Sequence, residues 1–265
     1  MLINLLYHDI TAVGRESTSG FPGPGAARYK LTPDEFRIHL DHIASVARTP
    51  PVASAEAVRS VGGPAWAITF DDGGLSAITE IADQLEHRGW RGWFFIATNY
   101  LGQPAFCSPD QIRELHRRGH IIGSHSHTHP DRISQCSWDQ MVDEWGQSCR
   151  VLSGIIGQPI ETASVPGGFY SRDVARAASQ AGIRVLFNSE PTTSAFAVDG
   201  ILVLGRYNIY RGMSAADAVA LMNSPLRRWR QAAFWNLKKI AKTFAGPVYK
   251  AVRHRILARE YANDE

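Results

Sequence analysis

Seven short apolar runs recur along this chain, at residues 2–6, 65–70, 93–97, 120–124, 162–165, 183–187 and 201–204. Between them lie segments that open with the chemistry of helix starts. Thr32-Pro33-Asp34-Glu35 offers an N-cap, a proline at the first helical position and a capping-box glutamate. Ser108-Pro109-Asp110-Gln111 repeats it, Ser137-Trp138-Asp139-Gln140 is a version without proline, and Ser171 and Ser214 can cap two more. Strand followed by helix, repeated, is the pattern of parallel βαβ units, so the spacing predicts an α/β barrel in preference to a sandwich. A chain of 265 residues can bury such a core without disulfide staples.

In barrels of this type, chemistry gathers at the carboxyl ends of the strands. Three polar clusters fall there: Tyr7-His8-Asp9, Asp71-Asp72, and His125-Ser126-His127-Thr128-His129. They are predicted to converge on one pocket. Each has a plainer reading alone, since Asp-Asp-Gly-Gly is a common turn and histidine-rich loops occur on surfaces. Together, carboxylate and imidazole form the ligand set of a divalent metal that activates water. His125 and His129 can face one ion across a tight loop, and Asp72 completes the set. Zn²⁺ suits these donors best, with Co²⁺, Ni²⁺, Mn²⁺ and Fe²⁺ as alternatives. Asp71 is then free to accept the proton of the attacking water.

The sequence resembles the NodB-homology polysaccharide deacetylases, metal-dependent carbohydrate esterases acting on N-acetylated sugars. Thr69-Phe70-Asp71-Asp72 matches the family's first motif and His125-Ser126-His127-Thr128-His129 its second. Leu5-Leu6-Tyr7-His8-Asp9, Leu31-Thr32-Pro33-Asp34-Glu35-Phe36 and Arg118-Gly119-His120-Ile121-Ile122-Gly123 are also similar to stretches of many members. The likeness covers roughly residues 1–215. It implies a distorted (β/α) barrel of about seven strands, with Asp71 as base and Asp72, His125 and His129 as metal ligands. It also implies that His127 is a loop residue and that Ser126 braces the loop.

The third family motif, Arg through Pro, an aromatic and Gly, has its counterpart in Ser164-Val165-Pro166-Gly167-Gly168-Phe169-Tyr170. Ser164 stands where the family has arginine, and Gly167 stands where it has the aromatic. By the resemblance, the Gly167 N–H stabilises the oxyanion, an interaction that needs no side chain. The late histidine that protonates the leaving amine has no counterpart in Val203-Leu204-Gly205-Arg206-Tyr207-Asn208. His8 is the expected substitute, as acid or as substrate contact. Tyr7, Pro166, Tyr170 and Arg206 are expected to contact the saccharide, and Arg206 is the alternative source of the charge missing at position 164.

The net charge of +3 conceals a division. Residues 218–259 hold ten of the 28 basic residues and no acid, whereas residues 1–217 carry 18 basic against 22 acidic side chains. The chain is therefore expected to divide into a barrel, 1–217, and a basic amphipathic helical tail, 218–265. Leu226, Trp229, Ala233, Leu237, Ile240 and Phe244 recur at helical spacing in a helix ending near Gly246-Pro247, with a second helix at 248–259. The basic helices at 226–259 suggest an anionic membrane surface as partner, whereas a tail packed on the barrel would merely solvate its charges. No binding motif accompanies the charge, so nucleic acid is not expected.

Three cysteines, Cys107, Cys136 and Cys149, make no framework, and a reducing compartment fits them. The amino terminus lacks a basic region and cleavage site, and no run nears the roughly 20 apolar residues of a membrane span. The expected place is the cytoplasm, with peripheral attachment to the inner membrane face in exopolysaccharide or glycolipid assembly. The expected activity is hydrolysis of an N-acetyl group from a polymeric or lipid-linked amino sugar, releasing acetate. The alternatives are another amide hydrolysis, such as deformylation, or a degenerate barrel that binds a glycan or partner.

Overall fold

The computed structural model describes residues 1–244, and the side chains of its last helix as far as Leu237. Its strands are β1 (Leu2–Tyr7), β2 (Ala65–Phe70), β3 (Trp93–Ile96), β4 (Ile121–Ser124), β5 (Thr162–Ser164), β6 (Val185–Phe187), β7 (Ala195–Val198), β8 (Ile201–Leu204) and β9 (Tyr207–Asn208). They form one sheet in the order β7-β8-β6-β5-β4-β3-β2-β1-β9. Every neighbouring pair is parallel except β7 with β8. The helices are α1 (Pro24–Ala27), α2 (Pro33–Val46), α3 (Ala55–Arg59), α4 (Ala82–Glu86), α5 (Pro109–Arg117), α6 (Trp138–Ile156), α7 (Arg172–Gln180), α8 (Ala215–Asn223) and α9 (Pro225–Phe244). Thr32, Ser108 and Ser137 close capping boxes at the starts of α2, α5 and α6.

β8 and β9 are neighbours in sequence, yet β9 is one end of the hydrogen-bonding order and β8 is next to last at the other, and only Gly205-Arg206 joins them. A link this short spans about 10 Å, so the sheet must curl until its edges nearly meet. The result is a distorted barrel closed by the chain itself. Asn4 Nδ2 donates to the Gly205 carbonyl at 2.8 Å across that seam. A Cβ at position 205 would lie 2.3 Å from the Glu190 carbonyl oxygen, which is why glycine stands there. The sheet has nine strands where seven were expected. The additions are the two-residue β9 and the antiparallel β7, which turns into β8 through Asp199-Gly200, both at positive φ.

Alternation along the strands sorts their side chains. Ile3, Leu5 and Tyr7 of β1 and Trp66, Ile68 and Phe70 of β2 join the layer beneath the helices, packed with Phe36, Leu40 and Ile43 of α2. The opposite parity faces inward, where Leu2, Ala67, Trp93, Phe95, Val185, Phe187 and Leu204 fill the barrel. Beyond them the inward positions turn polar: Thr69, Ser164 and Arg206 are all buried.

The boundary expected at 217 falls inside α8, whose Ala215, Ala218 and Leu221 are buried. α9 follows at once, with the Arg227 N–H bonded to Ser224 Oγ at 3.3 Å. The helix expected at 248–259 lies outside the described residues. No helix among the described residues is long and apolar enough to cross a membrane.

Candidate metal centre

Asp71 continues the inward parity of Ala67 and Thr69 beyond the end of β2, and Asp72 then turns through a positive φ of 78°. β4 ends at Ser124, and the next residues make a tight loop with Ser126 at φ 62° and His129 at φ 55°. Left-handed backbone at three non-glycine residues is strain kept where a site needs it. Hydrogen bonds hold the loop in place. Ser124 Oγ accepts from the Ser126 N–H at 3.1 Å, and Ser126 Oγ accepts from the His129 N–H at 3.2 Å. The Glu144 carboxylate, reaching in from α6, accepts from the N–H groups of His127 and Thr128, each at 2.8 Å. His127 turns aside, its Nδ1 2.9 Å from Thr98 Oγ1.

The loop brings Asp72, His125 and His129 together, with one ligand atom from each within 4.8 Å of the others. Asp72 Oδ1 lies 3.4 Å from His125 Nε2 and 3.7 Å from His129 Nε2. Separations of this size suit three donors sharing one ion at roughly 2.0–2.2 Å each. His125 Nδ1 lies 3.0 Å from the Ser164 carbonyl and 2.6 Å from Ser164 Oγ, which leaves Nε2 facing Asp72. Burial lowers the pKa of His129, and the neighbouring His125 adds to that, so the ring favours the neutral form a metal requires. His125 shows the opposite balance. Burial would lower its pKa, but Asp71 and Asp72 outweigh that and raise it. A cation here would meet the same negative charge that otherwise draws a proton, so the donor set fits a divalent ion.

Asp71 stands beside this set, its Oδ2 3.9 Å from His125 Nε2. Arg206 grips it with both arms, Nη1 to Oδ1 at 2.7 Å and Nη2 to Oδ2 at 2.8 Å. Ser164 Oγ donates to Oδ1 at 3.0 Å. Burial would push this carboxyl's pKa up, but Arg206 and His125 more than offset that and hold it below the usual range. Asp72 is lowered in the same way, against its burial, by hydrogen bonding to His125 and by the charges of His8 and His129. The arginine absent from position 164 is thus supplied at 206, on the seam that closes the barrel.

Arg206 is fully buried, its Nε donating to the Asn188 carbonyl at 2.9 Å and its guanidinium 5.7 Å from the Phe95 ring centroid. Contact with a saccharide is therefore excluded, and of its two expected roles the charge is the one the geometry selects. Tyr7 also departs from expectation. It is wholly buried, packs edge-on to Phe36 at 5.5 Å and has its hydroxyl 3.3 Å from His39 Nδ1, so it cannot touch substrate. His8, one residue on, has inward parity and lies half-buried against Tyr29. Its Nδ1 is buried and has no hydrogen-bond partner among the described residues, and its charge lowers the pKa of both Asp71 and Asp72. Asp9 leaves the pocket and takes hydrogen bonds from the hydroxyls of Ser19 and Ser76.

Pro166 is buried and starts the turn Pro166–Gly168, in which Gly167 has φ 59°. The exposed Gly167 N–H has no hydrogen-bond partner among the described residues, as an oxyanion donor requires. Tyr170 lies at the rim, half-buried against Phe196. Sequence reading missed the residues that brace the site from a distance: Glu144, the Ser164 hydroxyl, and Phe21, whose ring lies 4.6 Å from that of His129. Ser164 could have been found, because a hydroxyl two residues before the motif proline at a strand end faces the same interior as Asp71. Glu144 and Phe21 left no local signal.

Residues 59–186 match the family model described as polysaccharide deacetylase. Over this stretch the chain is similar to the polysaccharide deacetylases. The match takes in Asp71, Asp72, His125, His129 and Gly167, while His8, Arg206 and α9 lie on its flanks. The chain is 34% identical over 76 residues to a chitin deacetylase of Colletotrichum lindemuthianum, covering 28% of this chain and 31% of that protein. It is 28% identical over 117 residues to the peptidoglycan-N-acetylglucosamine deacetylase PgdA of Listeria monocytogenes, covering 44% of this chain and 23% of that protein. The alignment thus spans less than a third of each of these two relatives. Among solved structures, the Streptococcus pyogenes deacetylase PplD, in complex with acetate, shares the fold at a TM-score of 0.70 and 21% identity, over 84% of this chain and 98% of that one. The polysaccharide deacetylase BC0361 of Bacillus cereus does so at 0.69 and 17%, over 84% and 69%.

Proposed function

We propose that this chain is a metal-dependent hydrolase that removes the acetyl group from an N-acetylated amino sugar, yielding acetate and a free amine. The observation that carries this reading is the juxtaposition of two differently employed carboxylates. Asp72 faces His125 and His129 as a ligand set, while Asp71 is held ionised by Arg206 and Ser164 just outside it. The match to the polysaccharide deacetylase model and the substrates named for the chitin and peptidoglycan relatives support the choice of an N-acetylated sugar.

Asp72, His125 and His129 would hold the ion, which when bound supplies Lewis acidity and a more acidic water. Asp71 takes the proton of the attacking water, and its carboxylate is available for this because Arg206 opposes protonation. The Gly167 N–H donates to the oxygen on which negative charge develops. His8 gives a proton to the departing nitrogen; its ring is the imidazole near both carboxylates that lies outside the ligand set.

The test is acetate release from N-acetylhexosamine oligomers by protein loaded with Zn²⁺ or Co²⁺, with formate release from N-formyl analogues measured alongside. Asp71→Asn is expected to lower kcat by at least about 10³-fold with metal still bound, whereas His125→Ala loses metal and activity together. Full turnover by Asp71→Asn would remove Asp71 from the chemistry. Formate release far above acetate release would reassign the acyl group.

A further inference from the structure

α9 is amphipathic in an unexpected sense: its polar and bulky inner side grips the barrel, and its apolar stripe faces away. On the inner side, Arg228 Nη1 donates to the carbonyls of Leu221 and Met222 at 2.9 and 3.1 Å. Gln231 Nε2 donates to the Asn208 carbonyl at 2.8 Å. Trp235 reaches the turn of the candidate oxyanion donor, its Cη2 3.5 Å from where a Cβ on Gly168 would lie. On the far side, at three- and four-residue spacing, stand Leu226, Trp229, Ala233 and Leu237. Leu226 is 57% exposed, Trp229 65% and Leu237 63%. Arg230, also exposed, makes no ion pair among the described residues. A helix that turns leucine and tryptophan to solvent while spending glutamine and arginine on its own fold has a surface made for something else.

We propose that this face docks the protein on an anionic lipid surface, with the mouth of the metal site beside the bilayer. Charge decides the occupant. The sequence from 218 to 259 carries ten basic residues and no acid, so the region suits phosphate-bearing headgroups, which attract lysine and arginine close to the surface. A second copy of the chain would bring the same positive charge against this one. Trp229 and the leucines are side chains that enter the boundary between headgroups and acyl chains while arginine stays with the phosphates.

The inner side of α9 touches Gly168, so the lipid surface lies about one helix diameter, ~10 Å, from the oxyanion turn. That placement deepens the proposed activity, on which it rests: the sugar is presented from the membrane, carried on a lipid.

Sedimentation of the full chain with phosphatidylcholine vesicles, with and without phosphatidylglycerol, tests the docking alone. Binding is expected only with phosphatidylglycerol, weakening as salt is raised. The double variant Leu226→Glu, Trp229→Glu should lose at least about tenfold in binding and keep wild-type turnover of a soluble N-acetylhexosamine oligomer. No binding by the wild type, or undiminished binding by the variant, overturns the docking. A concentration-dependent dimer that the variant abolishes, without vesicle binding, overturns it in favour of a second copy.

The presentation of substrate is tested with an N-acetylated glycolipid. Its turnover should rise at least about tenfold in phosphatidylglycerol vesicles over phosphatidylcholine vesicles for the wild type and not for the variant, and equal rates overturn it. Failure of the wild type on every N-acetylated sugar, with vesicle binding intact, would instead strike the proposed reaction and leave the docking standing.

Discussion

A carboxyl as enclosed as that of Asp71 would hold its proton if burial acted alone, and a protonated carboxyl cannot accept another from water. The two arms of Arg206 and the Ser164 hydroxyl reverse that preference. Arg206→Met leaves a buried charge without its partner, which costs about 3–5 kcal/mol of stability. It is expected to unfold well below the wild type and to lose activity even where it remains folded. Arg206→Lys keeps a charge but loses the two-pronged grip, so it should fold better and lose roughly 10- to 100-fold in kcat with metal content unchanged. Metal analysis, thermal unfolding and steady-state kinetics on both variants check this, and a lysine variant with wild-type kcat would show that the grip is dispensable. The cluster of Asp71, Asp72, His125 and His129 was legible because adjacent carboxylates and closely spaced imidazoles carry their geometry with them. For Arg206 two roles stood open, saccharide contact and the charge missing at position 164, and the sequence alone could not choose between them. The arginine's distance from Asp71 is set by barrel closure through Gly205, which no local pattern encodes. Tyr7 went astray for a simpler reason. Successive strand residues point to opposite faces, so a motif that ends a strand offers only every second side chain to the pocket, and His8 has the right parity.

The segment between β1 and α2 contributes an element that is neither strand nor long helix. Its glycines and prolines mark it as a loop, but nothing in them reveals what pins it. Lys30 does so from inside, its Nζ donating to the carbonyls of Glu16, Ser19 and Phe21 while the side chain is 1% exposed. Burial lowers the pKa of this ammonium, and Asp9 and Asp72 oppose the shift. With the loop held, Phe21 packs against Tyr100, Phe106 and His129. Lys30→Met keeps the length but leaves three carbonyls without their donor, at a cost of about 1–3 kcal/mol. It should loosen Phe21 from the ligand histidine and weaken Zn²⁺ or Co²⁺ binding by about tenfold, as loss of support around a ligand does. Titration calorimetry would read the affinity, and an unchanged value would confine Lys30 to stability. Elements with strong local codes were the readable ones: the three capping boxes start their helices where the motifs stand, and the apolar strands lie within a residue or two of expectation. β7 was missed because Ala195, Phe196 and Ala197 are exposed and give no buried alternation, although Asp199-Gly200 was a hairpin signal in plain view. β9 has two residues, too few for any period to show.

At the scale of the molecule, stability depends on keeping buried imidazoles neutral, and His120 is the clearest case. It ties the helix layer to the sheet: its Nδ1 accepts from the Gly92 N–H at 3.1 Å, and its Nε2 lies 2.9 Å from Glu86 Oε1, which also takes a hydrogen bond from Arg118. Burial lowers its pKa from 6.5 to about 4, against the pull of Glu86. A proton on Nδ1 would break the bond from Gly92. The unfolded chain therefore binds this proton before the folded chain does. The contribution is fully present above pH 6.5 and is lost as pH falls through about 4, amounting to on the order of 3 kcal/mol. Carboxylates such as Asp71 and Asp72, lowered in the folded state, add losses of the same sign. Metal release in acid would confuse the reading, so unfolding is followed in the presence of a chelator. His120→Gln offers an acceptor and a donor to the same partners without titrating. The expected outcome is that wild-type thermal stability falls more steeply than that of His120→Gln between pH 6.5 and 4. Parallel curves would mean that this histidine takes up its proton in the folded state without loss of its place.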